Sequence, residues 1–156
     1  MINKKIKFYL AHSLLERKKI RRIEEQLEQE LGIELINPFY DTNRMDIQKI
    51  DKGRRVPFSK KSDYKKIVEG DLKLIRGADG IIAFVGKKLS VGSMMEIFYA
   101  ARILKNKKVY LVIQNKKIRY HPWLVYCADE IFTSVNELKE FLEESKYQHY
   151  RSFIFN

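Results

Sequence analysis

The residue whose type and surroundings most invite a chemical explanation in this chain is Glu96. It lies in Ser90-Val91-Gly92-Ser93-Met94-Met95-Glu96-Ile97-Phe98-Tyr99-Ala100-Ala101, and every residue from Met94 to Leu104 except Glu96 and Arg102 is apolar or alanine. Ser90 or Ser93 can cap a helix here, which puts Glu96 in the first turn of a helix expected to be mostly buried. Its neighbours three and four residues on are Tyr99 and Ala100, so its own helix face offers no countercharge. A buried carboxylate is costly, and three outcomes relieve the cost: a partner, a proton, or use in chemistry. The plainer alternative is a first-turn glutamate favoured by the helix dipole and solvated at a sheet edge.

Other chemistries find less support. The three histidines have no zinc-type spacing, and the single cysteine, Cys127, excludes an internal disulfide and a cysteine-based zinc site. Gly86 to Gly92 contains neither a P-loop nor a Gly-x-Gly-x-x-Gly fingerprint. No metal or cofactor is expected.

The elements that must position Glu96 alternate between strand and helix. Residues 6–11, 33–36, 81–85, 109–113 and 130–132 read as strands, rich in β-branched and aromatic residues. A helix from Leu14 carries Ile20, Ile23, Leu27 and Leu31 at three- and four-residue intervals, with Gly32 as its stop. Asp63 is placed to cap a second helix running to about Arg76, with Ile67, Leu72 and Ile75 inward. Ser134-Val135-Asn136-Glu137 matches a capping box that opens a last helix. Residues 37–62 form a long, charged, aromatic connection, expected to be a lid or binding loop. Residues 147–156 form an aromatic tail.

This alternation argues an α/β fold with a mainly parallel sheet covered on both faces. Ligands of such sheets sit at the carboxyl ends of the strands, where Tyr9 to Ser13, the loop after 36, and Gly86 to Ser93 converge. One domain covering 1–156 is expected.

Thirty-one Lys and Arg against 20 Asp and Glu give a net charge of +11. An anionic ligand or a nucleic acid would suit that charge, but the lysines are scattered, which favours a merely solvated surface. No apolar run approaches a membrane span, and the absence of a signal pattern with one free cysteine suggests the cytoplasm.

Three pieces together resemble one family: Phe8-Tyr9-Leu10-Ala11-His12-Ser13, then Asp71-Leu72 followed by Ala78-Asp79, then Gly92-x-x-x-Glu96-x-x-x-Ala100. The pattern is similar to the nucleoside 2-deoxyribosyltransferase superfamily, which includes the deoxynucleoside 5'-monophosphate N-hydrolases. The resemblance implies a flavodoxin-like three-layer sandwich with a five-stranded sheet, and cleavage of the N-glycosidic bond of 2'-deoxynucleosides. It implies Glu96 as nucleophile at C1', Tyr9 beside it, and Asp71 at the base or protonating it. Six residues before the nucleophile, where base-exchanging transferases carry aspartate, this chain has Ser90, as the hydrolases do. Ser90, Gly92 and Ser93 with the helix start would then hold a phosphate, aided by Ser13 and Arg17. His12 is either a substrate contact or an ordinary strand-end histidine, and the segment His121-Pro122-Trp123 either reaches a neighbouring subunit or packs as a turn.

The chemistry suits these residue types. Deoxyribose lacks the 2'-hydroxyl, so positive charge develops readily at C1', where an ionised glutamate can trap it. The leaving base needs a proton. The expected partners are a deoxynucleoside or deoxynucleotide, a free base or water as acceptor, and further copies of the chain. A non-catalytic nucleotide-binding module is a second class of reading, and a nucleic-acid-binding protein a third.

Overall fold

Five parallel strands in the order β2-β1-β3-β4-β5 form the sheet of the computed structural model, which describes residues 5–42 and 61–154 and side chains through residue 146. The strands are β1 (Lys7–Ala11), β2 (Glu34–Ile36), β3 (Gly80–Val85), β4 (Lys108–Ile113) and β5 (Glu130–Phe132). The helices are α1 (Arg17–Leu31), α2 (Lys61–Gly77), α3 (Val91–Phe98), α4 (Lys116–Arg119), α5 (Pro122–Cys127) and α6 (Val135–Ile154). A 3-10 turn (Leu14–Glu16) precedes α1, and a π-helical turn (Tyr99–Leu104) prolongs α3. Residues 43–60, most of the expected lid or binding loop, lie outside the described residues.

Alternation along each strand sorts the core into two layers. Tyr9, Ala11, Ile81, Ala83, Leu111 and Ile113 face Ile75 of α2, Ile97 of α3 and Leu124 of α5. Phe8, Leu10, Ile82, Phe84, Tyr110 and Val112 face Ile20, Leu27 and Leu31 of α1 and Leu138 of α6. Near the second layer's edge Tyr110, Phe132 and Phe141 meet with ring centroids 5.2–6.2 Å apart, which adds about 0.5–1.5 kcal/mol per pair to simple burial.

Gly32 ends α1 at φ 65°, as its place in the sequence suggests, and Lys146 of α6 donates to the carbonyl of Leu31 at 3.0 Å. At the amino ends of the strands, Asp79 Oδ2 accepts from Lys7 N (2.9 Å) while Asp79 N–H donates to Lys7 O (2.8 Å). Asp129 does the same for Val109, at 2.7 and 2.8 Å. Asp79, part of the family-like motif, is therefore a strand-start clamp at the end of the sheet opposite the site.

Three expectations change. The second helix begins at Lys61, so Asp63 lies inside its first turn rather than capping it. The aromatic tail is helical through Ile154, because no glycine or proline interrupts the chain after Val135. The helix carrying Glu96 is buried along one stripe rather than mostly: Ser93, Ile97 and Ala100 are inside, whereas Met95 and Ile103 are 65% and 59% exposed. It rests on one sheet face, so only about a third of its circumference meets the core.

Candidate active site

Tyr9 stands on the strand position that points toward α2 and α3, and its ring is fully buried. Its hydroxyl emerges where Glu96 passes over the sheet and donates to Glu96 Oε1 at 2.7 Å. The bond joins residues 87 positions apart. Ser90 is the N-cap of α3, its Oγ accepting from Ser93 N at 3.4 Å. The helix therefore begins at Val91 and Glu96 lies in its second turn, which corrects the first-turn expectation. Dipole stabilisation fades beyond the first turn, so the tyrosine hydroxyl, more than the helix end, accounts for the carboxylate's place. Glu96 is half-buried, and the backbone widens into the π turn from Tyr99, a distortion that recurs at functional sites.

Asp71 is half-buried on α2, the helix that lies on the same sheet face as α3. Nearby, Arg76 of α2 donates to Tyr99 Oη at 3.0 Å, tying α2 to the π turn.

A second group of expected residues gathers at the start of α3. Ser13, Ser90 and Ser93 line one cleft, together with Glu16, Gly86 and Lys88. Ser93 is 6% exposed, and its Oγ has no hydrogen-bond partner among the described residues. Ser13 Oγ donates to Glu16 Oε2 at 3.3 Å. Gly92 is exposed, with ordinary room for a side chain. Arg17 is turned to the carbonyl of Leu14 at 3.1 Å.

His12 is drawn away from solvent into a buried polar chain. It is 3% exposed, with Nε2 3.2 Å from Asn37 Oδ1, Nδ1 3.1 Å from Ser13 O, and its ring 4.9 Å from that of Phe39. Burial lowers its pKa, opposed by its contacts with Ser13 and Asn37. Asn37 Nδ2 donates to Glu24 Oε2 at 2.8 Å, and Glu24 is 1% exposed with Arg21 at 2.7 Å. Desolvation raises the Glu24 carboxyl to about 7 against the pull of Asn37 and Arg21. Asn37 also fixes the start of the next loop, its N–H donating to Asp41 Oδ2 at 2.6 Å.

Glu16, Glu24 and Asn37 are the residues that sequence reasoning missed. Glu24 had a signal: 20, 24, 27 and 31 fall on one apolar stripe with a carboxylate in the middle. Asn37 looked only like a strand breaker before Pro38. Among the described residues no group of acidic, histidine or cysteine side chains is arranged to hold a metal, and no helix is long and apolar enough to cross a membrane.

No family model matches the chain, and no curated protein does. Solved structures do. A 2-deoxyribosyltransferase from Bacillus psychrosaccharolyticus is similar over 85% of this chain and 90% of its own, at 19% identity and a TM-score of 0.61. A response regulator from Thermotoga maritima is similar over 89% and 97%, at 14% identity and a TM-score of 0.51. A CMP N-glycosidase from Clostridium botulinum aligns over 88% and 98%, at 20% identity, but its TM-score of 0.49 is too low to carry weight. These likenesses establish the flavodoxin-like fold. A fold shared by a transferase and a response regulator does not choose between functions; the site must.

Proposed function

We propose that this chain cleaves the N-glycosidic bond of 2'-deoxynucleosides, with Glu96 as nucleophile and another base or water as acceptor. The observation that carries the reading is the 2.7 Å hydrogen bond from the buried Tyr9 hydroxyl to Glu96 at the carboxyl ends of the strands. That bond holds one oxygen of the carboxylate in a fixed position beside the cleft.

In the first half-reaction a Glu96 oxygen bonds to C1' as the bond from C1' to the base nitrogen breaks. The electron pair leaves with the base, which takes a proton from Asp71, the acid suggested by resemblance, or from water. In the second half, a nitrogen of an incoming base or a water oxygen attacks C1', and the bond from C1' to Glu96 breaks to return the carboxylate. The proton lost by the nucleophile goes back to whichever group, Asp71 or water, gave one in the first half. Tyr9 donates throughout as a positioning group.

The 5'-monophosphate N-hydrolase reading has one observation in its favour, the buried Ser93 Oγ beside the helix start, which has no partner among the described residues. A non-catalytic binder would have no need of a tyrosine-positioned carboxylate. Chromatography of deoxynucleosides and their 5'-monophosphates, incubated with and without added free base, separates transfer, hydrolysis and inactivity. Glu96→Gln should lose several orders of magnitude in rate, on the order of 4–8 kcal/mol in the barrier. A Gln variant within tenfold of wild type refutes the assignment.

A further inference from the structure

The cleft at the start of α3 has the parts of an anion cradle, but a carboxylate already occupies its wall. Ser90 caps the helix, Ser93 presents a buried hydroxyl that has no partner among the described residues, and Lys88 lies at the exposed rim. Opposite stands Glu16, delivered by the 3-10 turn after β1 and held by Ser13 at 3.3 Å. Its carboxylate lies against the backbone of Gly86: a Cβ added there would sit 2.4 Å from Glu16 Oε2. Glycine at 86 is thus what lets the carboxylate reach into the cleft, although the two residues are 70 positions apart.

Ser93 is one helical turn before Glu96, about 5–6 Å away on the same face. With C1' of a sugar at Glu96, the hydroxymethyl arm of that sugar spans this distance. The cleft holds about one water-sized group, which suits a hydroxyl and excludes a nucleobase. Ser93 Oγ can donate to the oxygen of such a hydroxyl, while Glu16 accepts its hydrogen.

We propose that Glu16 is a specificity-determining residue that accepts a hydrogen bond from the 5'-hydroxyl of the substrate and rejects a 5'-phosphate. This rests on the glycosidic reading of the site and names the substrate class within it. A phosphate in this position meets a like charge at contact distance with little water between them, which costs it affinity. The helix start, Ser90, Ser93 and Lys88 would welcome that phosphate once the carboxylate is gone.

Two substitutions test the idea by different routes. Glu16→Ala removes the charge together with the bulk that narrows the cleft; Gly86→Ala keeps the charge and displaces the carboxylate, the free end of a flexible side chain. Binding of the four 2'-deoxynucleosides and their 5'-monophosphates is measured by calorimetry, with Glu96→Gln as the parent to prevent turnover. The parent should favour the nucleoside, and each substitution should shift the ratio toward the monophosphate by roughly 10- to 100-fold. A parent that favours the monophosphate, or a ratio unmoved in both variants, overturns the role of Glu16 and leaves the glycosidic reading standing. If the parent binds neither ligand class, both readings fall.

Discussion

Tyr9→Phe removes one oxygen from the site and nothing else. The ring is fully buried between β1 and the α2–α3 layer, so phenylalanine keeps its packing. Glu96 is half-buried and can take a water in place of the lost donor, so the fold should lose no more than about 1 kcal/mol. The kinetic effect differs between the two half-reactions. In the first, Glu96 gives up its charge to form an ester, and the tyrosine bond weakens from charge-assisted to neutral. In the second, Glu96 leaves as a carboxylate and the bond regains its strength. A hydrogen bond to a charged group contributes about 1.5–3 kcal/mol against about 0.5–1.5 for a neutral one. The difference, about 1–1.5 kcal/mol, selectively assists departure of Glu96 and corresponds to roughly tenfold in rate. Tyr9→Phe should therefore release base in a burst and then settle to a slower steady state. Rapid-quench chromatography of released base reads both phases. A variant with native melting temperature, no burst and unchanged steady-state rate would show that this hydrogen bond has no part in turnover.

Glu24→Gln should flatten the pH dependence of stability. The folded carboxyl titrates near 7 against 4.5 for an unperturbed glutamate. Its contribution is present below about pH 4.5 and lost as pH rises through 7, on the order of 3 kcal/mol in all. His12, whose pKa burial lowers, acts in the opposite sense, losing stability as pH falls below 6.5, so the comparison is the difference between wild type and variant in urea unfolding from pH 5 to 8. A parallel displacement of the two curves would contradict the assignment. A second expectation concerns assembly. Trp123 and Tyr126 on α5 are 58% and 60% exposed, and Trp123 meets Phe98 of α3 with ring centroids 5.9 Å apart, next to the exposed Met95. An apolar face joining two helices beside the site calls for cover, and a second copy of the chain is the expected one. Sedimentation should find at least a dimer at micromolar concentration; monomer alone would refute this.

The strands were legible because buried parallel strands are short continuous runs of Ile, Val, Leu and Phe, and Gly32 and Ser90 mark a helix end and start by local chemistry alone. Glu96 stood out as a charge in an apolar helix, and the motif around Tyr9 suggested its neighbour. What remained hidden depends on contacts between distant segments. Nothing near Glu16 announces that Gly86 makes room for its carboxylate, and nothing near Asn37 announces its bonds to Glu24 and His12. The helix register of Glu96 was misread by a turn because Val91 and Gly92 are weak helix formers that the Ser90 cap nonetheless recruits. The extension of α6 went unread because a charged, aromatic segment carries no helix-specific stripe.

The central claim is that Glu96 bonds covalently to C1' of a 2'-deoxyribose. Acid-quenching Tyr9→Phe during turnover of a deoxynucleoside, followed by peptide mass mapping, tests it directly. A deoxyribosyl adduct on Glu96, absent from Glu96→Gln treated alike, is the predicted result. Turnover without any adduct on the peptide that contains Glu96, or an adduct on a different carboxylate, would contradict the account.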